Sequence, residues 1–417
     1  MADPVLRHDA FAALKIRDYR LFVGFRFFMT IAIQMQSLII GWQVYELTRD
    51  PLSLGLIGLA EAVPFIAVAL YAGHIADLHD RKRIILYFLM LFMAGTLLLF
   101  LFSLDLTHFY RTFGLLPIFV VVGLTGIART FIAPATTALS AQVVPRELYP
   151  NASIWNSTTW HVSAMAGPAL GGLIYGFFGV KIAYGTILSF GVLSIALLSV
   201  IPGRPVPAAL VSEPLGRRLM TGLRFVFKHQ ILLASMSLDM FGVLFGGAIS
   251  MLPVFAAEVL HVGPQGLGFL RAAPMAGAVL MSVFLAYRPP MHRTGRYLLL
   301  AVSGFGMSII LFALSKNFYL SLALLVLSGL FDNISVIIRA TTMQLVTPDE
   351  MRGRVASVNS IFIGSSNEIG AFESGVAARL MGLVPSVVFG GAMTLIVVGA
   401  IAKLAPALRR LNLKSLG

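Results

Sequence analysis

Twelve mainly apolar stretches divide the 417-residue chain, near 20–46, 51–74, 83–104, 114–138, 151–177, 180–201, 229–258, 265–286, 296–315, 319–342, 355–381 and 385–405. About 20 such residues suffice for a helix to cross the hydrocarbon core of a bilayer. Lipid offers no partner to an open backbone, so each stretch is expected to be a spanning helix. The chain is 58% hydrophobic and 12% charged, against roughly 25% charged in soluble domains. A single water-soluble globule could not hide that apolar surface, which excludes an ordinary soluble enzyme, a disordered regulator and a secreted disulfide scaffold. There are no cysteines, so disulfide, thiolate and Cys-metal chemistry are excluded too.

One long polar connection, 202–228, is rich in Pro and Arg. It reads as a linker, with an amphipathic piece near Leu215–Phe227, between an N-terminal six-helix half (1–201) and a C-terminal half (229–417). The expected fold is an all-α polytopic membrane protein with two pseudo-symmetric six-helix bundles. An even number of spans puts both termini on one side. With the termini inside, 22 Lys and Arg fall in cytoplasmic segments and 4 outside, a strong positive-inside asymmetry. That distribution accounts for the net charge of +13, and no nucleic-acid partner is needed to explain it. The first 19 residues lack an apolar core, so no cleaved signal peptide is expected.

The halves repeat one another. At an offset of 203, Gly126 meets Gly329, Pro145 meets Pro348, Glu147 meets Glu350, Asn156 meets Asn359, Gly167 meets Gly370, Gly172 meets Gly375 and Gly179 meets Gly382. Spans two and eight match at an offset of 210 through Gly58 and Gly268, Ala62 and Ala272, and Pro64 and Pro274. The glycines of spans five and eleven mark small-residue faces where helices can approach closely in lipid.

The loop after span two reads Gly73-His74-Ile75-Ala76-Asp77-Leu78-His79-Asp80-Arg81-Lys82-Arg83-Ile84. It resembles the signature of the major facilitator superfamily, G-x-L-A-D-R-x-G-R-[RK]-x-x-[IL]. Gly73, Ala76, Asp77, Arg81 and Lys82 match; Leu78 replaces the usual Arg and Asp80 the usual Gly. Gly123 to Glu147 and Gln344 to Val355 resemble, within that superfamily, bacterial exporters of the enterobactin-exporter and macrolide-efflux type. The resemblance implies a transporter of the bacterial cytoplasmic membrane, with Gly73, Asp77, Arg81 and Lys82 as a cytoplasmic latch. Gly73 is expected to permit a tight helix exit, and Asp80 to sit in the turn with modest strain.

Ionisable residues inside spans are costly and usually paired or hydrated. They are Arg26, Glu61, Arg129, Asp239, Arg271, Asp332, Arg339, Glu368, Glu373 and Arg379. Arg26 and Arg339 lie near cytoplasmic ends and are expected to snorkel. The repeat equates Arg129 with Asp332 and Glu61 with Arg271, opposite charges at equivalent places. The superfamily fold implies that Arg129 and Asp332 face each other across a central cavity, and that Glu61 and Arg271 are related at the seam. Glu61, Arg129, Asp239, Arg271 and Asp332 are the candidates for charge or proton coupling. Gln36, Trp42, Gln43, Asn156 and Trp160 are candidates for lining a mixed polar and apolar substrate cavity, with helix packing as the competing role. No phosphate loop or metal-ligand spacing occurs, and neither cofactor nor metal is expected.

These features together point to a monomeric secondary transporter working by alternating access, which exports a small amphipathic molecule, drug or siderophore, against protons. A lysolipid transporter of the same fold is the alternative. A transport-inactive receptor and a membrane-embedded enzyme are the readings from other classes; no clustered nucleophile, metal or paired-carboxylate site supports the enzyme.

Overall fold

The computed structural model describes residues 9–204, 215–287 and 292–415, all helix and connections, with no strand among them. The Asp77 side chain and residues 205–214 of the linker lie outside the described residues.

Spans one to four are Arg17–Thr48, Pro51–Leu78, Arg81–Leu104 and Leu116–Gln142. Spans five and six share one continuous assignment, Tyr149–Val200, broken at Gly179. Span seven runs through Gln230–Phe245, Ala248–Val254 and the π-turn Phe255–Val259. Spans eight to twelve are Gly263–Tyr287, Thr294–Leu314, Phe318–Val346, Arg352–Met381 and Leu383–Leu404. Ten helices are long and apolar enough to cross a membrane. One of those ten holds spans five and six, and span eleven, less apolar than the rest, completes the set.

Local chemistry sets the ends. Asp50 caps span two by accepting from the Leu52 amide at 3.0 Å, ahead of Pro51 in the first turn. Asp80 caps span three the same way, accepting from the Lys82 amide at 2.9 Å, with an unstrained φ of −62°. The strain expected at Asp80 is therefore absent: a capping carboxylate satisfies amides that the helix leaves open. Nor does Gly73 end span two. The helix continues to Leu78 and closes with the His79 amide on the Ile75 carbonyl at 3.0 Å.

The repeat is visible in the backbone. Gly179, between spans five and six, has φ 81°, and its equivalent Gly382, between spans eleven and twelve, has φ 90°. Both hairpins turn through a conformation that side chains resist.

The two halves meet along two seams. At one, span two lies against span eleven so closely that a Cβ on Gly55 would sit 3.0 Å from the Gly375 Cα. At the other, a Cβ on Gly172 of span five would sit 2.8 Å from the Gly268 Cα of span eight. Both contacts are at the end of the spans away from the termini. There the Tyr45 hydroxyl of span one donates to Glu258 of span seven. The Arg379 guanidinium of span eleven reaches Asp50 at 2.6 Å. The halves diverge towards the face that carries both termini and the linker.

Candidate functional site

The divergence leaves a cavity of about 1050 Å³, open towards the termini face. Spans two, four, seven, ten and eleven supply most of its wall. Glu61, Arg129, Asp239, Asp332, Arg339 and Glu368 all line it, together with Phe65 and Trp160. Gly73, His74, Leu219, Arg354 and Ser357 stand around its mouth.

Each half closes an ion pair of its own. In the first, Arg129 of span four donates to Glu61 of span two. Gly126, one turn earlier, brings the helices together: a Cβ there would meet the Glu61 Cγ at 3.1 Å. In the second, Arg339 of span ten bonds Asp239 of span seven at 2.5 Å, while its Nε donates to Ser335 Oγ at 3.1 Å. The second pair is the more deeply buried, with side chains 11% and 8% exposed against 40% and 16% for the first.

One sequence expectation is corrected: Arg339 does not snorkel out, because Asp239 waits at its own depth. Arg129 and Asp332 share the cavity, with Arg129 paired to Glu61. Glu61 and Arg271 form no ion pair among the described residues; Arg271 lies behind the wall and donates to Ser37 Oγ of span one at 2.7 Å. Repeat symmetry relates equivalent positions, whereas pairing depends on which helices are neighbours and how each is turned.

Asp332 and Glu368 make no hydrogen bond or ion pair among the described residues. Asp332 stands within electrostatic reach of Arg339 and Asp239. Glu368 stands within reach of Glu61, Arg129 and Arg271. Glu368 is the residue the sequence left without a role: it is an intramembrane carboxylate, but the repeat offers it no opposite charge in the other half.

The amide candidates fasten helices. Gln36 is 1% exposed; it donates to Thr125 Oγ1 at 3.2 Å and accepts from Thr96 Oγ1 at 2.6 Å. Gln43 accepts from the Tyr184 hydroxyl at 2.7 Å. Asn156 donates to Ser140 Oγ at 2.6 Å and accepts from the Tyr19 hydroxyl at 3.3 Å. Trp42 is buried. A desolvated amide must find a partner, and these find theirs on neighbouring spans. Only Trp160 of the five lines the large cavity.

Of the latch residues, Lys82 donates to the Ser199 carbonyl at 2.8 Å and to the Ile201 carbonyl at 2.5 Å, tying span three to the end of span six. Arg81 is buried, and among the described residues its Nε and Nη1 have no hydrogen-bond partner. Gly73 lines the cavity mouth. Among the described residues no group of His, Cys, Asp and Glu could hold a metal ion.

A protein-family model described as transmembrane secretion effector, within the major facilitator superfamily, matches residues 8–415. The chain belongs to this family. Relatives of the chain include the enterobactin exporter EntS of Shigella flexneri, 25% identical over 373 residues that cover 89% of this chain and 88% of that protein. EntS of Escherichia coli O1:K1 is 25% identical over 378 residues with the same coverage. Solved structures share the fold. A POT family transporter, crystallised with 5-aminolevulinic acid, superposes with a TM-score of 0.72 at 11% identity, covering 94% of this chain and 96% of that one. The human organic anion transporter MFSD10 gives 0.65 at 14% identity, covering 92% and 99%. The chain is thus an all-α multi-pass membrane protein and, by family, a major facilitator exporter.

Proposed function

We propose that the protein exports a small amphipathic molecule, a drug or a siderophore, by alternating access, in exchange for protons. The observation that carries the reading is the large cavity, open towards the termini face and closed opposite by glycine-lined seams. With the termini in the cytoplasm, as the distribution of basic residues favours, this is the loading state of an exporter. The protein acts as a monomer in the bacterial cytoplasmic membrane. The size of the cavity, its aromatic residues and its charged walls suit a ligand with both polar and apolar parts. The relation to enterobactin exporters favours a siderophore among such ligands.

Proton exchange needs a carboxylate that can change its charge without dismantling the fold. Of the three carboxylates that the sequence singled out, Glu61, Asp239 and Asp332, Asp332 meets that condition best, since it lines the cavity and has no hydrogen-bond or ion-pair partner among the described residues. Glu61 and Asp239 carry protons only if their arginines release them. A thermal-stabilisation screen identifies the ligand, and proteoliposomes with an imposed pH gradient then report its flux. In Asp332→Asn, the expected result is loss of pH-driven accumulation while ligand counterflow persists. If Asp332→Asn, Glu61→Gln and Asp239→Asn all keep full coupling, the proton reading fails. Chemical conversion of the ligand would sink transport as the activity.

A further inference from the structure

The linker helix Leu215–Lys228 plays no part in the reading above, yet it is anchored at a telling place. Its inner side packs on spans seven and eleven of the C-terminal half. Val226 is wholly buried with Met236 of span seven and with Val355 and Val358 of span eleven. A Cβ on Gly222 would sit 2.8 Å from the Arg354 carbonyl oxygen. One turn earlier, Leu219 reaches the cavity mouth. The helix therefore lies across the ends of spans seven and eleven, at the level where the apolar spans stop.

On its other side, Met220, Arg224, Phe227 and Lys228 are exposed, and that side is of mixed character. Arg224 and Lys228, four residues apart, fall on one stripe. Met220 continues that stripe and Phe227 lies beside it; they are 51% and 60% exposed. Large apolar side chains beside basic ones, on a helix lying along the ends of membrane spans, match the surface of a bilayer: acyl chains take the apolar groups and headgroups the charges. The charge complement of that stripe is an anionic headgroup.

We propose that the outer face of the linker helix, formed by Met220, Arg224, Phe227 and Lys228, is a docking surface for anionic phospholipid headgroups. Because the same helix grips span eleven at Gly222 and forms part of the cavity rim at Leu219, headgroups bound there brace one edge of the cavity mouth. Basic residues elsewhere on the termini face attract the membrane diffusely. This helix holds lipid next to the moving part.

The test uses the full-length protein in nanodiscs of phosphatidylcholine alone or of equimolar phosphatidylcholine and phosphatidylglycerol, with lipid adducts counted by native mass spectrometry and unfolding followed by thermal denaturation. A basic residue at an anionic membrane surface contributes about fivefold in affinity. Arg224→Gln with Lys228→Gln is expected to weaken phosphatidylglycerol retention by about 25-fold and to remove most of the thermal stabilisation that phosphatidylglycerol confers. Unchanged behaviour in phosphatidylcholine alone shows that the variant still folds. Arg409→Gln with Arg410→Gln, exposed on the same face but off the helix, is the control and is expected to retain the lipid. The proposal is overturned if the linker variant keeps wild-type retention, or if both double variants lose it equally.

Discussion

The two ion pairs look like counterparts but behave as different devices. Glu61–Arg129 sits in the N-terminal half with its arginine 40% exposed to the cavity, and it faces Glu368 from the other half. Asp239–Arg339 sits in the C-terminal half with both side chains nearly buried, and Ser335 holds the guanidinium in a second place. Water and substrate can reach the first pair, so its charges can be re-solvated one at a time. The second pair borders the same cavity but is only 11% and 8% exposed, so its members depend more on each other. The lesson is that one half carries a responsive pair and the other a fixed one, with Asp332 poised beside the fixed one.

The contrast can be broken by removing partners. Arg339→Ala strands Asp239 in a buried site and is expected to cost about 3–5 kcal/mol, read as loss of folded protein on thermal denaturation in detergent. Adding Asp239→Asn to it is expected to restore most of that stability. If the single substitution is silent, the pair is not desolvated and the contrast falls. A smaller effect is expected from Gly126→Val, which crowds Glu61 from below. Overpacking of this kind costs about 1–3 kcal/mol, and the same variant should alter ligand affinity because it moves the responsive pair. The smallest effect is expected from Glu61→Gln. Cavity water can take over Arg129, so the stability loss should be about 1 kcal/mol, with the larger change in transport. A Glu61→Gln protein as unstable as Arg339→Ala would make the two pairs equivalent after all.

The fold was legible because its signals are local or repeated. Twelve apolar lengths set the spans, and span eleven, the weakest of them, was still recognisable from glycines shared with span five. The turns at Gly179 and Gly382 follow from the same register. The partners of the charges were not legible. Arg129 and Asp332 occupy equivalent positions, but equivalence says nothing about neighbours, and Glu61 is 68 residues from the arginine it holds. Gln36 and Gln43 announced themselves as polar groups in an apolar helix. Whether such a group lines a cavity or bolts two helices together depends on Thr96, Thr125 and Tyr184, which only the assembled bundle brings near. Glu368 carried the same signal as Glu61 and lacked a mirror image, which is why symmetry passed over it.

Asp50 serves two helices at once: one carboxylate oxygen caps span two and the other holds Arg379 of span eleven. The cap survives when Arg379 leaves, so the outer end can part without fraying. The bond that must part is solvent-facing, with its arginine side chain 57% exposed. Dissolved ions weaken such a bond, since at physiological ionic strength charges are screened over about 8 Å. On the proposed orientation and alternating-access cycle, the composition of the medium outside the cell thereby becomes an input to the protein: a dilute environment holds the outer door shut, and a briny one loosens it.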